Sequence, residues 1–263
     1  MSRMLHSERT EGRVQGQTPA GELRLRRAGL CVALPLSAML SGCQAVVSSP
    51  TASQVRIIDA SPDAPGLDMY ENNSVIAYNL GFGTVTSYIS TDPGTFTVSA
   101  NIAGSKTALA TAKGTFTASS QYTVLIGNSA ANLQELILKD QAQAAPSGQV
   151  SLRIIDQATR VGAVDVYLVP AGQKFTAVTP VLTNVSFATN TGYINVPTGS
   201  YTLVIVPAGT IPTSSTVATY IGAQVSYTGG SVTTIVLIDQ QLVTTPGLQV
   251  VTAQDYVSPT ATS

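Results

Sequence analysis

The chain has 263 residues, of which 44% are hydrophobic and only 10% are charged, and small and β-branched residues are frequent throughout. This composition is typical of short strands joined by tight turns, and it lacks the Glu, Lys and Leu content of a helical protein. Six of the 13 basic and three of the 14 acidic residues precede Cys43, so the rest carries a net charge of about −4 without charge runs. Such a surface argues against binding to nucleic acid.

The N-terminal region has the features of an export signal. Arg24, Arg26 and Arg27 precede an apolar stretch at residues 28–40, which has the length of a signal peptide and is too short to span a bilayer. The stretch ends in Leu40-Ser41-Gly42-Cys43, which resembles the lipobox of bacterial lipoproteins. An ordinary signal peptide followed by an accidental cysteine is the alternative.

The lipobox resemblance implies that residues 1–42 are removed and that Cys43 carries diacylglycerol. We therefore expect an exported protein of the cell envelope, attached to the membrane through this lipid, with residues 43–53 as a tether. Gln44 follows the cysteine instead of the aspartate that retains many lipoproteins in the inner membrane. In a Gram-negative host this favours the outer membrane or the cell surface.

Two segments of the chain are similar to each other. Matching runs are offset by 97 residues at first, by 105 after an insertion of eight residues, and by 112 after a further gain of seven. The runs are Val55-Arg56-Ile57-Ile58-Asp59 with Leu152-Arg153-Ile154-Ile155-Asp156, Leu67-Asp68-Met69-Tyr70 with Val164-Asp165-Val166-Tyr167, Tyr88-Ile89 with Tyr193-Ile194, and Leu125-Ile126 with Leu237-Ile238. Two homologous domains follow from this repeat.

Each repeat contains about seven short apolar runs separated by turn signals such as Asn72-Asn73 and Pro93-Gly94. This spacing predicts two tandem antiparallel, immunoglobulin-like β-sandwich domains. The predicted boundaries are 54–140 for the first domain, 141–149 for the linker, 150–256 for the second domain and 257–263 for a tail. The continuous apolar runs at residues 122–126 and 234–238 predict a central strand in each domain.

The opening of the first repeat, Val55-Arg-Ile-Ile-Asp-Ala-Ser-Pro-Asp-Ala-Pro-Gly-Leu-Asp-Met-Tyr70, resembles the DUF4397 family of bacterial envelope domains of unknown function. The resemblance extends to about Lys139 and recurs more loosely in the second repeat. Asp59 stands where the family usually has histidine. The family implies a β-sandwich in the cell envelope and no reaction.

Several kinds of catalytic site are excluded. The only histidine, His6, and one of the two cysteines, Cys31, precede Cys43, so the exported chain lacks histidine and, once lipidated, a free thiol. Nucleophile systems that need His or Cys, and zinc, copper or haem sites built on them, have no ligands. We therefore expect a protein that is not an enzyme and has no cofactor beyond the lipid.

The carboxylates of the first repeat are the remaining candidates for chemistry. Asp59, Ser61 and Asp63 offer alternating oxygen atoms suited to a weak calcium site. The other interpretation is turn chemistry, in which these side chains bind backbone N–H groups. Arg160 replaces Asp63 in the second repeat, so a calcium site would exist in one domain only.

An Arg and an Asp recur in both repeats: Arg56 with Asp68, and Arg153 with Asp165. Asp156 is also retained as the counterpart of Asp59. We predict that each Arg and Asp lie on neighbouring strands. They form a duplicated ligand-binding pair, a cross-strand ion pair, or an interaction in which a side chain orders the loop between the strands.

Three functions remain open. The first is a non-catalytic binding or structural module for a polysaccharide or another envelope protein, with the loops at residues 170–180 and 207–215 as recognition sites. The others are a glycan hydrolase that uses carboxylates such as Asp59 and Asp68, and a calcium-stabilised adhesion protein. Tyr78, Tyr220 and Tyr227 are candidates for exposed rings suited to sugars.

Overall fold

The structure is a computed structural model that describes residues 51–241 and 247–256 of the chain. Strands account for most of these residues. The predictions for the signal peptide, for Cys43 and for the tail at 257–263 lie outside these residues. Two short 3₁₀ helices, Ala130–Asn132 and Phe175–Ala177, complete the regular structure.

The strands form two groups of eight that follow one another along the chain. Those of the first group are β1 (Ser53–Asp59), β2 (Leu67–Glu71), β3 (Ser74–Leu80), β4 (Ile89–Thr91), β5 (Gly94–Ile102), β6 (Ala108–Phe116), β7 (Gln121–Gly127) and β8 (Gln134–Lys139). Those of the second are β9 (Gln149–Asp156), β10 (Val164–Pro170), β11 (Leu182–Val185), β12 (Asn190–Pro197), β13 (Gly199–Pro207), β14 (Tyr220–Tyr227), β15 (Val232–Asp239) and β16 (Leu248–Tyr256). We call them sandwich 1 and sandwich 2.

Each sandwich has an inner and an outer four-stranded sheet with the same strand order. The inner sheets are β4-β1-β7-β8 and β12-β9-β15-β16, and the outer sheets are β3-β2-β5-β6 and β11-β10-β13-β14. The two β-sandwich domains predicted from the repeat are thereby confirmed. The prediction was of antiparallel sheets, but one pair of strands in each inner sheet is parallel. These pairs are β1 with β7 and β9 with β15.

Alternation along the inner strands creates three apolar layers. On β1, Val55 and Ile57 point into the core of sandwich 1, whereas Ile58 points to the opposite face. That opposite face packs on its counterpart in sandwich 2, where Ile155 and Val236 belong to the same buried cluster. Because strands β7 and β15 are covered on both faces, they carry the continuous apolar runs seen in the sequence.

The strand register corrects the last offset of the repeat. Ile58 pairs with Leu125 in sandwich 1, and its equivalent Ile155 pairs with Val236, so the offset in β7 and β15 is 111 and the predicted 112 is wrong. The following strands are offset by 115, because Leu125 pairs with Leu136 and Val236 with Val251. These registers define the equivalent positions used below.

Candidate functional site

Arg56 and Arg153 lie between the two sandwiches. Arg56 donates through Nε and Nη2 to Thr123 Oγ1, at 3.0 and 2.9 Å, and its Nη2 forms an ion pair with Asp255. Arg153 makes the equivalent bonds to Thr234 Oγ1, at 3.0 and 2.8 Å, and an ion pair with Asp140. Each arginine therefore pairs with a carboxylate at the end of the other sandwich.

The two carboxylates are fully satisfied by this network. Asp140 accepts hydrogen bonds from Thr123 Oγ1 at 2.7 Å and from the Tyr88 hydroxyl at 2.8 Å. Asp255 accepts the equivalent bonds from Thr234 and Tyr193, at 2.7 and 2.9 Å. The Tyr88 and Tyr193 rings also lie 4.8 Å from the guanidinium carbons of Arg56 and Arg153, respectively. A buried, closed network of this kind joins the sandwiches and leaves no group free for a ligand.

The predicted pairs of Arg56 with Asp68 and of Arg153 with Asp165 are wrong. The chain crosses from the inner to the outer sheet between β1 and β2, and likewise between β9 and β10, so the residues of each pair lie in different sheets. Asp68 instead accepts hydrogen bonds from the backbone N–H groups of Asn79, at 2.8 Å, and Gly104, at 2.9 Å. These two bonds lower the pKa of Asp68.

Asp165 repeats the arrangement of Asp68. Its carboxylate accepts hydrogen bonds from the backbone N–H groups of Asn184 and Gly209, both at 2.8 Å. Asn184 has a φ of 54° and its equivalent Asn79 a φ of 47°, in the left-handed region that asparagine tolerates. The recurring Asp residues on β2 and β10 thus hold loops in shape.

Asp59, Ser61 and Asp63 form a turn. Asp59 Oδ1 accepts a hydrogen bond from the Ser61 backbone N–H at 3.0 Å, and burial raises the pKa of Asp59 to about 6. Asp63 is exposed and accepts a hydrogen bond from the Ala130 N–H at 2.8 Å. Asp59 Oδ2 and Ser61 Oγ are buried without a partner. Within residues 51–241 and 247–256, no three His, Cys, Asp or Glu side chains are grouped to hold a metal ion.

Asp156 makes the same turn in sandwich 2. Its Oδ1 accepts a hydrogen bond from the Ala158 N–H at 2.8 Å, and burial, reinforced by the nearby Asp239, raises its pKa to about 6. Like Asp59, it is less than 2% exposed. The carboxylates named for a hydrolase, Asp59 and Asp68, are likewise buried and bound to backbone N–H groups, which suits a structural role.

The loops at residues 170–180 and 207–215 belong to the outer face of sandwich 2. Phe175 and Val178, from the first loop, pack against a buried cluster that includes Tyr167 and Val204. Within the second loop, Ile211 is 82% exposed. The first loop is thus mainly a cover for the outer sheet.

A groove of about 300 Å³ opens between the edge strands β14 and β16 of sandwich 2. Its lining is neutral and rich in hydroxyl groups. The residues are Val225, Ser226, Tyr227, Thr228, Ser231, Thr233, Thr252 and Gln254. Tyr227 and Tyr220, predicted as exposed rings, are half-buried against the core at this edge, whereas Tyr78 is 72% exposed in sandwich 1.

The equivalent edge of sandwich 1 is closed. Gly114 on β6 packs against Ile137 on β8 so closely that a Cβ atom would lie 2.6 Å from Ile137 Cδ1. By register, Val225 occupies the position of Gly114, and Thr252 that of Ile137. The glycine allows β6 to approach β8 and the isoleucine fills the space between them. Sandwich 2 has neither residue, and its edge is open.

The sequence contains a signal for this open edge that is not a motif. No charged residue occurs between Lys174 and Asp239, a stretch that includes β11 to β14. Edge strands usually carry charges, especially lysine, that oppose pairing with another chain. Lys113 supplies such a charge on β6, and its equivalent on β14 is Gln224.

Comparison with known proteins bears on the first half of the chain. No curated protein matches the sequence. In the described residues, no helix is long and apolar enough to cross a membrane. Residues 53–167, which comprise sandwich 1, the linker, β9 and the first part of β10, match the family of the domain of unknown function DUF4397, as the motif in the first repeat predicted.

Proposed function

We propose that this protein is a lipid-anchored, non-catalytic module of the bacterial cell envelope that binds a macromolecular partner through the open edge of sandwich 2. Sandwich 2 is a second DUF4397 domain in this proposal, because it repeats the strand order and the Arg-Thr-Asp network of the first. Duplication followed by divergence explains why one copy keeps a closed edge and the other exposes it.

The anchor rests on the sequence around Cys43. An apolar stretch of signal-peptide length followed by Leu40-Ser41-Gly42-Cys43 fits lipidation of the cysteine, and more than one acyl chain gives stable attachment. A Cys43→Ser variant should lose labelling by a radioactive or clickable fatty acid and leave the membrane fraction. Unchanged labelling would remove the anchor from the proposal.

A role without catalysis is supported by what the polar side chains do. The buried arginines bind carboxylates and threonines, and Asp59, Asp68, Asp156 and Asp165 each hold a backbone loop. The sequence after Cys43 contains no His or Cys, so a metal site built on these residues is excluded. The groove at β14 and β16 is lined by hydroxyl and amide groups, which suit recognition by hydrogen bonds.

The observation that carries the binding site is the difference between the two equivalent edges. Closing the groove with the residues of sandwich 1, in a Val225→Gly, Thr252→Ile double variant, tests it directly. The lipid-free mature protein is immobilised and exposed to purified envelope polysaccharide and to solubilised envelope protein. We expect the double variant to retain at least about tenfold less than the wild type, a difference of about 1.4 kcal/mol.

Two controls make this experiment decisive. The double variant must keep the wild-type circular dichroism and cooperative unfolding, and a Lys113→Gln variant on the closed edge should bind like the wild type. Equal retention by the wild type and by the folded double variant would place the binding site elsewhere and overturn the proposal.

A further inference from the structure

We propose that the partner at the open edge is a second copy of this chain, and that β14 pairs antiparallel with β14 of that copy. This inference rests on the proposed function, because it names the partner for the same site. It predicts a dimer with two-fold symmetry in which the outer sheets of both sandwich 2 domains join into one eight-stranded sheet.

The first argument is the backbone of β14. This strand is eight residues long and has a β-bulge between Ile221 and Gln224, and among the strands that the structure describes it pairs only with β13. Its outer edge therefore presents unpaired N–H and C=O groups, which an added strand satisfies through main-chain hydrogen bonds. In sandwich 1 β6 is likewise the edge strand of its sheet, but it is packed against β8 and carries Lys113.

The second argument is charge. In an isologous dimer residue i meets residue j and j meets i, so a charge close to the axis would lie near the same charge of the other copy. The sequence of β14, Tyr-Ile-Gly-Ala-Gln-Val-Ser-Tyr, contains none, and neither does the chain from residue 175 to 238. A strongly charged partner would find no complementary group here, whereas a second copy meets only neutral residues.

The third argument is the exposed apolar surface of this edge. Ile221 is 67% exposed on the outer face of the sheet, and Val225 is 47% exposed at the mouth of the groove. An antiparallel pairing with its two-fold axis at Val225, in the regular part of β14 after its bulge, sets Val225 opposite Val225 of the second copy and Gln224 opposite Ser226. It covers the two Val225 side chains and places the two Gln224 side chains diagonally across the axis.

Attachment to a membrane strengthens such a contact. Lipid on Cys43 confines every copy to one surface, which raises the effective concentration of β14 for another β14. A modest affinity in solution is therefore sufficient for dimers at the membrane.

The test uses the mature chain with Cys43→Ser, examined by sedimentation velocity over a range of concentrations. We expect the parent protein to dimerise, and Gln224→Lys, which installs the charge that sandwich 1 carries at Lys113, to raise the dimer dissociation constant by about tenfold or more. Gln224→Glu should do the same. An equimolar mixture of the two variants should dimerise again, because the charges then attract.

Three results would overturn the inference: a parent protein that stays monomeric at all concentrations, a dimer that persists in Gln224→Lys, or a mixture of the two charge variants that fails to dimerise. Lys113→Gln serves as the matched control and should leave the dimer unchanged. If the parent protein is monomeric but the groove-closing double variant still loses binding to envelope material, the proposed function stands and only the identity of the partner falls.

Discussion

Glu135 is a half-buried residue whose carboxyl group is buried. It lies on β8, on the same side of the strand as Ile137, and faces the core of sandwich 1. Both carboxyl oxygens are buried without a hydrogen-bond partner of normal geometry. Burial raises its pKa to about 8, although the backbone N–H groups of Ala100 and Ala112 lower it in part. The side chain is therefore mostly protonated at neutral pH.

The sign of the effect follows from the two pKa values. The ordinary pKa is 4.5 and the folded-state pKa is about 8, so between these values the unfolded chain releases a proton that the folded chain keeps. The free energy of unfolding therefore falls as pH rises through this window, by at most about 1.4 kcal/mol per pH unit. The full loss at pH 8 amounts to a few kcal/mol.

Sandwich 2 supplies the matching replacement, because its equivalent residue is Val250. We expect Glu135→Val and the isosteric Glu135→Gln to unfold at higher urea concentration than the wild type at pH 8, with a much smaller difference at pH 5. Urea melts at several pH values measure this. If the difference between Glu135→Gln and wild type were the same at pH 5 and pH 8, Glu135 would titrate normally and the reasoning would be refuted.

Three further changes test the interior. Asp140→Ala leaves the Arg153 guanidinium buried without its carboxylate, so the free energy of unfolding in urea melts should fall by about 3–5 kcal/mol. Adding Arg153→Met should recover much of this loss, and no recovery would contradict the coupling between the two residues. Asp59→Asn keeps the turn acceptor and should raise stability above pH 6 but not below pH 4, because the folded pKa is about 6. Gly127→Ala should lower the melting temperature because its Cβ would overlap Gln157, and Gln157→Ala should relieve the clash.

The sequence was sufficient to predict the repeat and the sandwich class, because strand alternation and turn residues are local signals. The partners predicted for Arg56 and Arg153 were wrong because each arginine was paired with a retained aspartate that is close to it along the chain. Arg56 and Asp68 are only a loop apart, yet that loop crosses between sheets, and the true partner, Asp255, lies at the end of the other sandwich. Without an expectation for how the sandwiches pack, no local pattern distinguishes a buried arginine from an exposed one.

The open edge was missed for a related reason. Residue identity favours an alignment of Leu125-Ile126 with Leu237-Ile238. That alignment is one residue out of register, so it hides the equivalence of Thr123 with Thr234 and leaves the last strands unaligned. Once those strands are aligned by register, the exchange of Ile137 for Thr252 becomes visible. The absence of charge over β11 to β14 was readable from the sequence alone and indicates an edge without a protecting charge.

The crossed ion pairs also determine when the protein can finish folding. Arg56 meets its counter-ion Asp255 across 199 residues of chain, and that aspartate lies in the last strand. Sandwich 1 can form its own apolar core as soon as β8 is complete, but until nearly the whole chain has emerged Arg56 has only the more distant carboxylate of Asp140, at 3.6 Å. We expect a chain cut short before β16 to have a less stable N-terminal half, which makes incomplete products more open to proteolysis.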